Sequence, residues 1–170
     1  YRMEALINGL LQYSRVGRIK TEPETVVVAQ LLAEIIDSIA PPKEFTIDIV
    51  GQMPTLNTQR IPLQQVLSNL ISNAVKHHNC SDGKVVISVT EQEEFYEFTV
   101  ADNGKGIAEQ YYEKIFVIFQ TLEARDKSEN TGIGLAIVKR IVEEVGGTIA
   151  LESQIGKGTT FRFSWPRKSI

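Results

Sequence analysis

The sequence predicts an α+β fold, with one mixed and mainly antiparallel sheet that carries helices on one face. Segments with alternating apolar residues fall mostly in neighbouring pairs, as the strands of hairpins do. Amphipathic helical patterns lie between these pairs, and such helices bury their apolar stripe against a sheet. The chain has 170 residues, of which 42% are hydrophobic. This is enough for one domain with a core and a short appendage.

Composition and charge exclude several classes of protein. The formal net charge is −3 and no block of basic residues occurs, which argues against a non-specific nucleic-acid-binding protein. Cys80 is the single cysteine, so neither an internal disulfide nor a cysteine zinc site can form, and a reducing compartment is weakly favoured. No apolar run has the length of a membrane span, and no signal-peptide pattern is present.

The first predicted helix covers residues 1–16. Its stripe approaches a heptad spacing and consists of Met3, Leu6, Ile7, Leu10, Leu11 and Ser14. Gly17 offers a stop, and the polar residues 18–25, which include Pro23, predict a linker. So narrow a stripe needs a partner, which we expect to be missing or supplied by another chain. Because the pattern is already under way at Tyr1, we expect the chain to be a fragment of a longer protein.

The remaining elements follow from their periodicity. Alternating or β-branched runs predict strands, apolar residues at spacings of three and four predict helices, and prolines or glycines end them. The predicted strands and extended pieces are 25–30, 45–50, 54–58, 84–90, 95–101, 148–154 and 159–165. The predicted helices are 31–40, 62–78, 110–119 and 135–145.

The helix predicted over 62–78 carries asparagines where a solvent-facing helix usually carries charged residues. Opposite its apolar stripe lie Gln65, Asn69, Asn73, Lys76 and His77. Asparagine is a poor helix former because its side chain competes for backbone hydrogen bonds. Its amide oxygen is, however, a neutral ligand for a hard cation such as magnesium. The helix alone is compatible with an ordinary solvated face or with a metal–phosphate site.

Two glycine-bearing segments are each ambiguous when taken alone. The first, "DNGKGI" (102–107), follows a strand and has the composition of a turn. Its aspartate could also accept a hydrogen bond from the exocyclic amine of adenine, whereas the carbonyl of guanine would be repelled. The second, "NTGIGL" (130–135), opens a helix whose free N–H groups could bind phosphate. It matches neither the Walker A loop nor the Rossmann fingerprint.

The order of the motifs is more specific than any one of them. The asparagine helix, "DNGKGI", "IFVIFQ", "NTGIGL" and "GKGTTF" follow one another at plausible spacings. This series resembles the N, G1, F and G2 boxes of the sensor histidine kinase catalytic domain, a member of the GHKL ATP-binding superfamily. The resemblance covers about residues 21–170. The segment "KHHN" and the short lid are similar to those of cyanobacterial and phytochrome-type sensor kinases.

The resemblance implies the Bergerat fold, a two-layer α/β sandwich, preceded by one helix of a helical hairpin. It divides the chain into residues 1–20, the second helix of a dimerisation and phosphoacceptor hairpin with a linker, and residues 21–170, the ATP-binding domain. It also implies Mg²⁺ and ATP as cofactors. Asn73 and Asn69 would be the metal ligands, Lys76 would neutralise phosphate charge, and His77 would reach the same region.

For the base, the resemblance implies that Asp102 binds the adenine amine and that Thr159 supports it through a water. Gly104 and Gly106 would let the loop close on the base, with Ile107 packed near the ring. For the phosphates it implies a second group of contacts, which consists of Thr131, Gly132, Gly134 and Leu135. Residues 120–131 would form a mobile lid, with Arg125 or Lys127 as a phosphate contact. Phe116 and Phe119 would anchor that lid to the core.

The sequence departs from the family pattern at two points. Asn130 stands where the second glycine box often begins with glycine, and asparagine tolerates positive φ better than most residues. The phosphoacceptor histidine box is absent, because the only histidines are His77 and His78. We therefore expect no catalytic residue and no self-phosphorylation on the usual histidine in this sequence.

The resemblance implies a protein-histidine kinase domain that phosphorylates a hairpin histidine for relay to a response-regulator aspartate. We expect a cytoplasmic domain that forms a homodimer in its parent, with no nucleic-acid partner and no membrane contact of its own. A second hypothesis is a GHKL-type ATPase, but the amide of Asn69 cannot serve as a base where hydrolytic relatives carry glutamate. A serine kinase is a third hypothesis, and a degenerate nucleotide-sensing or dimer-interaction module is a fourth.

Overall fold

The computed structural model describes residues 2–78, 82–120 and 132–168. The four helices in these ranges are α1 (Arg2–Arg15), α2 (Val28–Ile39), α3 (Arg60–Lys76) and α4 (Gly134–Glu144). The strands are β1 (Glu24–Val27), β2 (Thr46–Ile49), β3 (Thr55–Thr58), β4 (Lys84–Glu91), β5 (Phe95–Asp102), β6 (Ile149–Gln154) and β7 (Gly158–Pro166).

The main sheet has five strands in the order β2–β4–β5–β7–β6. Strand β2 runs parallel to β4, and the other three pairings are antiparallel, which confirms the predicted mixed and mainly antiparallel sheet. The prediction of a single sheet was wrong. Strands β1 and β3 form a separate antiparallel pair, with Val26 opposite Leu56. Both side chains are buried, so this pair joins the core through its packing.

Helices α3 and α4 contact the main sheet and each other, and between them they supply much of the core. The apolar stripe predicted for α3 is buried at Leu63, Val66, Leu67, Leu70, Ile71 and Ala74. Within the main sheet, the ring of Phe163 on β7 stacks on the ring of Phe98 on the neighbouring strand β5, with 5.1 Å between the ring centroids. Burial of this apolar surface is the main stabilising term of such a core. Because the apolar stripe of α3 is buried against the core, the opposite face of this helix, which carries the asparagines, remains polar.

Two helix boundaries and one whole helix differ most from the sequence prediction. Helix α2 begins at Val28 rather than at 31, because Val28 joins Leu31, Leu32 and Ile35 on one buried face. The helix predicted over 62–78 spans Arg60–Lys76, so both histidines follow its end. The single helix predicted over 110–119 was wrong. Two 3₁₀ turns, Glu109–Tyr111 and Lys114–Phe116, replace it, and only Ile115 in them is buried, which leaves no apolar stripe for a continuous helix.

Helix α1 packs against the domain on one side only. A Cβ on Gly9 would lie 2.8 Å from the Cδ1 atom of Ile133, so glycine permits this close approach. The guanidinium of Arg140 lies 4.5 Å from the centre of the Tyr13 ring, a cation–π distance. The apolar stripe predicted for α1 is therefore only partly buried. Leu6 packs against the core, whereas Met3, Ile7, Leu10 and Leu11 are exposed.

Trp165 and Thr58 form a buried hydrogen bond that joins the two sheets. The indole N–H of Trp165 donates to Thr58 Oγ1 at 3.0 Å, and the two residues are 1% and 6% exposed. Replacing Thr58 by valine keeps the shape but leaves the indole N–H unsatisfied. We expect Thr58→Val to lower the free energy of unfolding by about 1–3 kcal/mol in urea denaturation. The exposed change Thr25→Val on the neighbouring strand is the control, and an equal effect of both would contradict a role for this bond.

Among the described helices, none combines the length and the hydrophobicity that crossing a bilayer requires.

Candidate nucleotide-binding site

Asp102 ends β5, and two backbone N–H groups hold its carboxylate in place. Its Oδ1 accepts hydrogen bonds from Gly104 N at 2.9 Å and from Thr159 N at 3.3 Å. Both bonds end on the same oxygen. In the described part of the chain, Oδ2 has no protein donor and can accept a hydrogen bond from an incoming amine.

Partial burial raises the pKa of the Asp102 carboxyl above its ordinary value. The N–H groups of Gly104 and Thr159 lower that pKa by stabilising the charged form, and the nearby side chains of His78 and His77 lower it further. Removal from water remains the largest effect. A perturbed carboxyl at the end of a strand is typical of a ligand-binding or catalytic group, although structural ion pairs also perturb pKa values.

Backbone contacts fix the loop that follows Asp102 against the turn between β6 and β7. Gly106 has φ +77°, and a Cβ there would lie 2.2 Å from the carbonyl oxygen of Gln154. Gly156 N donates to Lys105 O at 2.8 Å. Gly106 therefore has a structural reason to be glycine whether or not a ligand is bound. Gly104 is buried beside Asp102, where a Cβ would lie 3.0 Å from Oδ1.

Ser153 joins the parts of this loop, and sequence reasoning missed it. Its Oγ accepts a hydrogen bond from Ile107 N at 2.7 Å and lies 2.8 Å from Thr159 Oγ1. Its backbone N–H donates to the Tyr112 hydroxyl at 2.8 Å, and that hydroxyl donates back to the Ser153 carbonyl. Thr159 was predicted to support Asp102 through a water. The structure places the Thr159 N–H on Asp102 directly and its hydroxyl on Ser153.

A second supporting residue, Asn103, also lacked a signal beyond its place in a turn-like motif. Its Oδ1 accepts a hydrogen bond from Lys84 N at 2.8 Å and lies 2.7 Å from His78 Nε2. The ring of His78 meets Phe45 edge to face at 5.4 Å. A Cβ on Gly104 would lie 3.4 Å from His78 Cδ2. His78 therefore brings the end of the asparagine helix against the Asp102 loop.

The other end of the same helix face borders the second glycine segment. The Asn69 Nδ2 donates to Gln65 O at 2.9 Å, which leaves its Oδ1 facing α4, where a Cβ on Gly134 would lie 3.2 Å from that oxygen. Asn73 follows one turn later and is half-buried, as is His77, whereas Lys76 is exposed. The polar face of α3 thus runs from the start of α4 to the Asp102 loop.

Helix α4 starts beside Asn69 with unused backbone donors. The first intrahelical bond runs from Ile137 N to Ile133 O, so the N–H groups of the first turn have no partner within the helix. The helix dipole adds to the attraction of this end for anions. Gly132, at φ +70°, precedes the helix, and its carbonyl accepts a hydrogen bond from Phe119 N at 3.0 Å. Leu135 is half-buried and packs against the core.

The two phenylalanines of "IFVIFQ" differ in their surroundings. Phe116 meets Phe161 edge to face at 6.3 Å, and the ammonium of Lys139 lies 5.7 Å from its ring centre. Phe119 is exposed and has φ +66°. Arg125, Lys127, Asn130 and Thr131 lie outside the described residues, as does the predicted lid beyond Gln120.

The protein oxygens at this site suit magnesium only if a bound phosphate group supplies further metal ligands. In residues 2–78, 82–120 and 132–168, no group of three or more histidine, cysteine, aspartate or glutamate side chains could hold a metal. Magnesium is usually bound through one or two protein oxygens together with substrate phosphates, rather than in an all-protein cage. The amide oxygens of Asn69 and Asn73, beside a helix start that favours anions, suit that arrangement.

Comparisons with known proteins show the family to which the chain belongs. Residues 58–169 match the family described as histidine kinase-, DNA gyrase B-, and HSP90-like ATPase. The phytochrome-like protein Cph1 of Synechocystis sp. is 41% identical over 169 residues, which are 96% of this chain. The chain spans only 22% of the length of Cph1.

Two solved structures extend the comparison to the fold. Full-length ShkA in complex with AMPPNP is 27% identical, with a TM-score of 0.83 over 98% of this chain and 36% of ShkA. Histidine kinase ThkA in complex with the response regulator TrrA is 25% identical, with a TM-score of 0.71 over 98% of this chain and 48% of ThkA. The chain belongs to the family of histidine kinase-, DNA gyrase B- and HSP90-like ATPases, as an ATP-binding catalytic domain of the sensor histidine kinase type.

Proposed function

We propose that this domain binds Mg–ATP and transfers the γ-phosphate to a histidine on a helical hairpin of its parent protein. One observation carries the proposal. The polar face of α3 reaches both glycine segments, with the Asn69 Oδ1 facing Gly134 and His78 against Gly104. A base held at Asp102 and phosphates held at the start of α4 would then lie along one helix face. AMPPNP in the ShkA complex supports a nucleotide at this fold.

Each residue has a separate role in the proposal. Asp102 Oδ2 accepts the hydrogen bond of the adenine amine, while Gly104 and Thr159 orient the carboxylate. The N–H groups of Gly132 and of the first turn of α4, Gly134 included, bind phosphate oxygens. Lys76 and His77 neutralise phosphate charge, and Asn73 and Asn69 hold Mg²⁺. When bound, the ion would offset charge on the β- and γ-phosphates.

The remaining roles concern the parts around the nucleotide. Ile107 packs near the base, and Phe116 anchors the lid to the core. The exposed side chain of Phe119 does not support the anchoring role predicted for it. Residues 1–20 are the second hairpin helix with its linker, and residues 21–170 are the catalytic domain. The parent protein is a homodimer with a cytoplasmic kinase domain. Its phosphohistidine passes the phosphoryl group to an aspartate of a response regulator. The complex of ThkA with TrrA supports that partner class.

Phosphoryl transfer in this arrangement depends on placement and on charge neutralisation. The acceptor histidine must approach the γ-phosphate in line with the leaving oxygen. A glutamate at position 69 could activate water and favour hydrolysis, but the amide of Asn69 cannot remove a proton. The chain therefore favours transfer to the hairpin over hydrolysis.

The metal role predicts a magnesium-specific defect. Asn73→Ala is expected to weaken Mg–ATP binding by about tenfold, because an oxygen ligand to the charged metal–phosphate group is lost. Binding of ADP in EDTA should change little. Isothermal titration calorimetry measures both affinities, and Gln64→Ala, exposed on the same helix, is the control. An equal loss in EDTA would remove Asn73 from the metal site.

The proposed activity is tested with a longer form of the parent that includes the complete hairpin, incubated with γ-labelled Mg–ATP. We expect a label on the protein that is lost in acid and kept in alkali, as phosphohistidine is. An acid-stable label would instead indicate serine or threonine phosphorylation. Release of phosphate without labelled protein would favour an ATPase, and neither label nor release would favour a degenerate nucleotide-sensing module.

A further inference from the structure

A cavity of about 540 Å³ lies between the end of α1 and the body of the domain. Residues 12–21, at the end of α1 and beyond it, form one wall. The start of α3, the end of α4 and the end of β7 form the other. None of the described residues proposed above to bind nucleotide lines this cavity. We call it the hinge cavity, because it separates the helix from the catalytic domain.

The hinge cavity has the size and the lining of a small-molecule site. Its walls are mainly apolar and include Val16, Ile19, Ile61 and Val145. Cavities of 300–1,000 Å³ with apolar walls and a few polar groups are typical of ligand pockets. Trp165 lies behind this wall, because its side chain is only 1% exposed and its indole N–H is bonded to Thr58.

The charges around the hinge cavity favour an anion. Arg15, Lys20 and Lys168 line it and are exposed, so they lie at its mouth. In the described part of the chain none of the three forms an ion pair. Glu144, the one acidic residue among the described lining residues, lies against Gly17, where a Cβ would be 2.6 Å from its Oε1. This local excess of cations contrasts with the net charge of −3.

One wall also carries an unused hydrogen-bonding group. The Oγ1 of Thr21 is buried and, among the described residues, has no hydrogen-bond partner. The Thr21 carbonyl, by contrast, accepts a hydrogen bond from Gln59 Nε2 at 2.7 Å. Buried hydroxyl groups in folded proteins are nearly always paired. A ligand with a polar edge would provide the missing partner.

We propose that the hinge cavity binds a small apolar carboxylic acid, with its apolar body against Val16 and Val145 and its carboxylate towards Lys20 and Lys168. Such a ligand contacts α1 and the domain body together and therefore stabilises their present arrangement. The proposal does not depend on the nucleotide site, because the two sites share none of the residues that the structure describes. The nucleotide site can therefore be filled with ADP while binding to the hinge cavity is measured.

The test uses the indole N–H resonance of Trp165, which is unambiguous because the chain has one tryptophan. The ¹⁵N-labelled chain is titrated with 1-naphthoate and, separately, with the uncharged 1-naphthamide, both in saturating ADP. We expect saturable shifts of the indole resonance and at least about fivefold tighter binding of the acid. No saturable shift in the presence of ADP, or equal affinities for the acid and the amide, would overturn the proposal.

Charge-reversed variants locate the anion. The double variant Lys20→Glu/Lys168→Glu changes only exposed side chains and should keep the fold, as its NMR spectrum will show. It is expected to lose the preference for naphthoate over naphthamide. Lys43→Glu, exposed and outside the cavity, should retain that preference. A preference that survives in the double variant would overturn the assigned orientation and the proposal with it.

Discussion

Replacing Asp102 by asparagine is expected to weaken ADP binding by about 10- to 100-fold, the range for a lost hydrogen bond to a charged acceptor. The substituted Oδ1 can still accept the N–H groups of Gly104 and Thr159, so the loop keeps its anchors. An amide nitrogen replaces Oδ2. Because this nitrogen donates hydrogen bonds, as the adenine amine also does, the two groups can no longer pair. Calorimetric titration with ADP measures the change, and the exposed Asp37→Asn is the control.

The raised pKa of Asp102 gives this prediction two further consequences. A carboxyl whose pKa is raised by folding destabilises the fold at pH values above that pKa, and this effect is relieved as the pH falls through it. At pH 7 Asp102→Asn should therefore be at least as stable as the wild type. ADP binding by the wild type should weaken as the pH falls through the same pKa. A destabilised variant with normal ADP affinity would make Asp102 a structural residue.

Replacing Gly158 by alanine is expected to have the largest effect on stability. Gly158 has φ +107°, and its Cβ would lie 2.0 Å from the Asp102 carbonyl oxygen. Gly156, two residues earlier, has φ +82° with nothing within 4 Å of a Cβ. Positive φ costs an alanine about 1–2 kcal/mol at either position. Overpacking adds about 1–3 kcal/mol at Gly158 alone.

Urea denaturation should therefore show a loss of about 2–5 kcal/mol for Gly158→Ala and about 1–2 kcal/mol for Gly156→Ala. The first variant should also lose ADP affinity, because relief of the clash moves the strand end that carries Asp102. Equal losses of stability for the two variants would show that conformation alone, and not the contact with Asp102, requires glycine at position 158.

The sequence predicts those parts of the fold that depend on periodicity. The apolar stripe of α3 and the antiparallel pairs β4–β5 and β6–β7 are where the patterns place them. The site residues could be proposed because an ordered series of motifs resembles one family. The same residues, Asn69 on a helix and Asp102 after a strand, have ordinary structural explanations when each is taken alone.

What the sequence does not predict depends on contacts between distant segments. Ser153 is an ordinary strand serine until the fold brings Ile107, Thr159 and Tyr112 to it. The pairing of β1 with β3 joins strands that α2 and β2 separate along the chain, and local periodicity does not predict it. The hinge cavity likewise exists only because α1 folds back beside α4.

The affinity of this chain for ADP relative to GDP tests the central claim most directly. Calorimetric titration of the wild type and of Asp102→Asn, each with ADP and with GDP, gives the four affinities needed. If Asp102 accepts the adenine amine, the wild type should prefer ADP by at least about tenfold, since guanine presents a carbonyl there. The variant should lose most of that preference. Equal binding of both nucleotides by the wild type, or an unchanged preference in Asp102→Asn, would contradict the assignment of the nucleotide site.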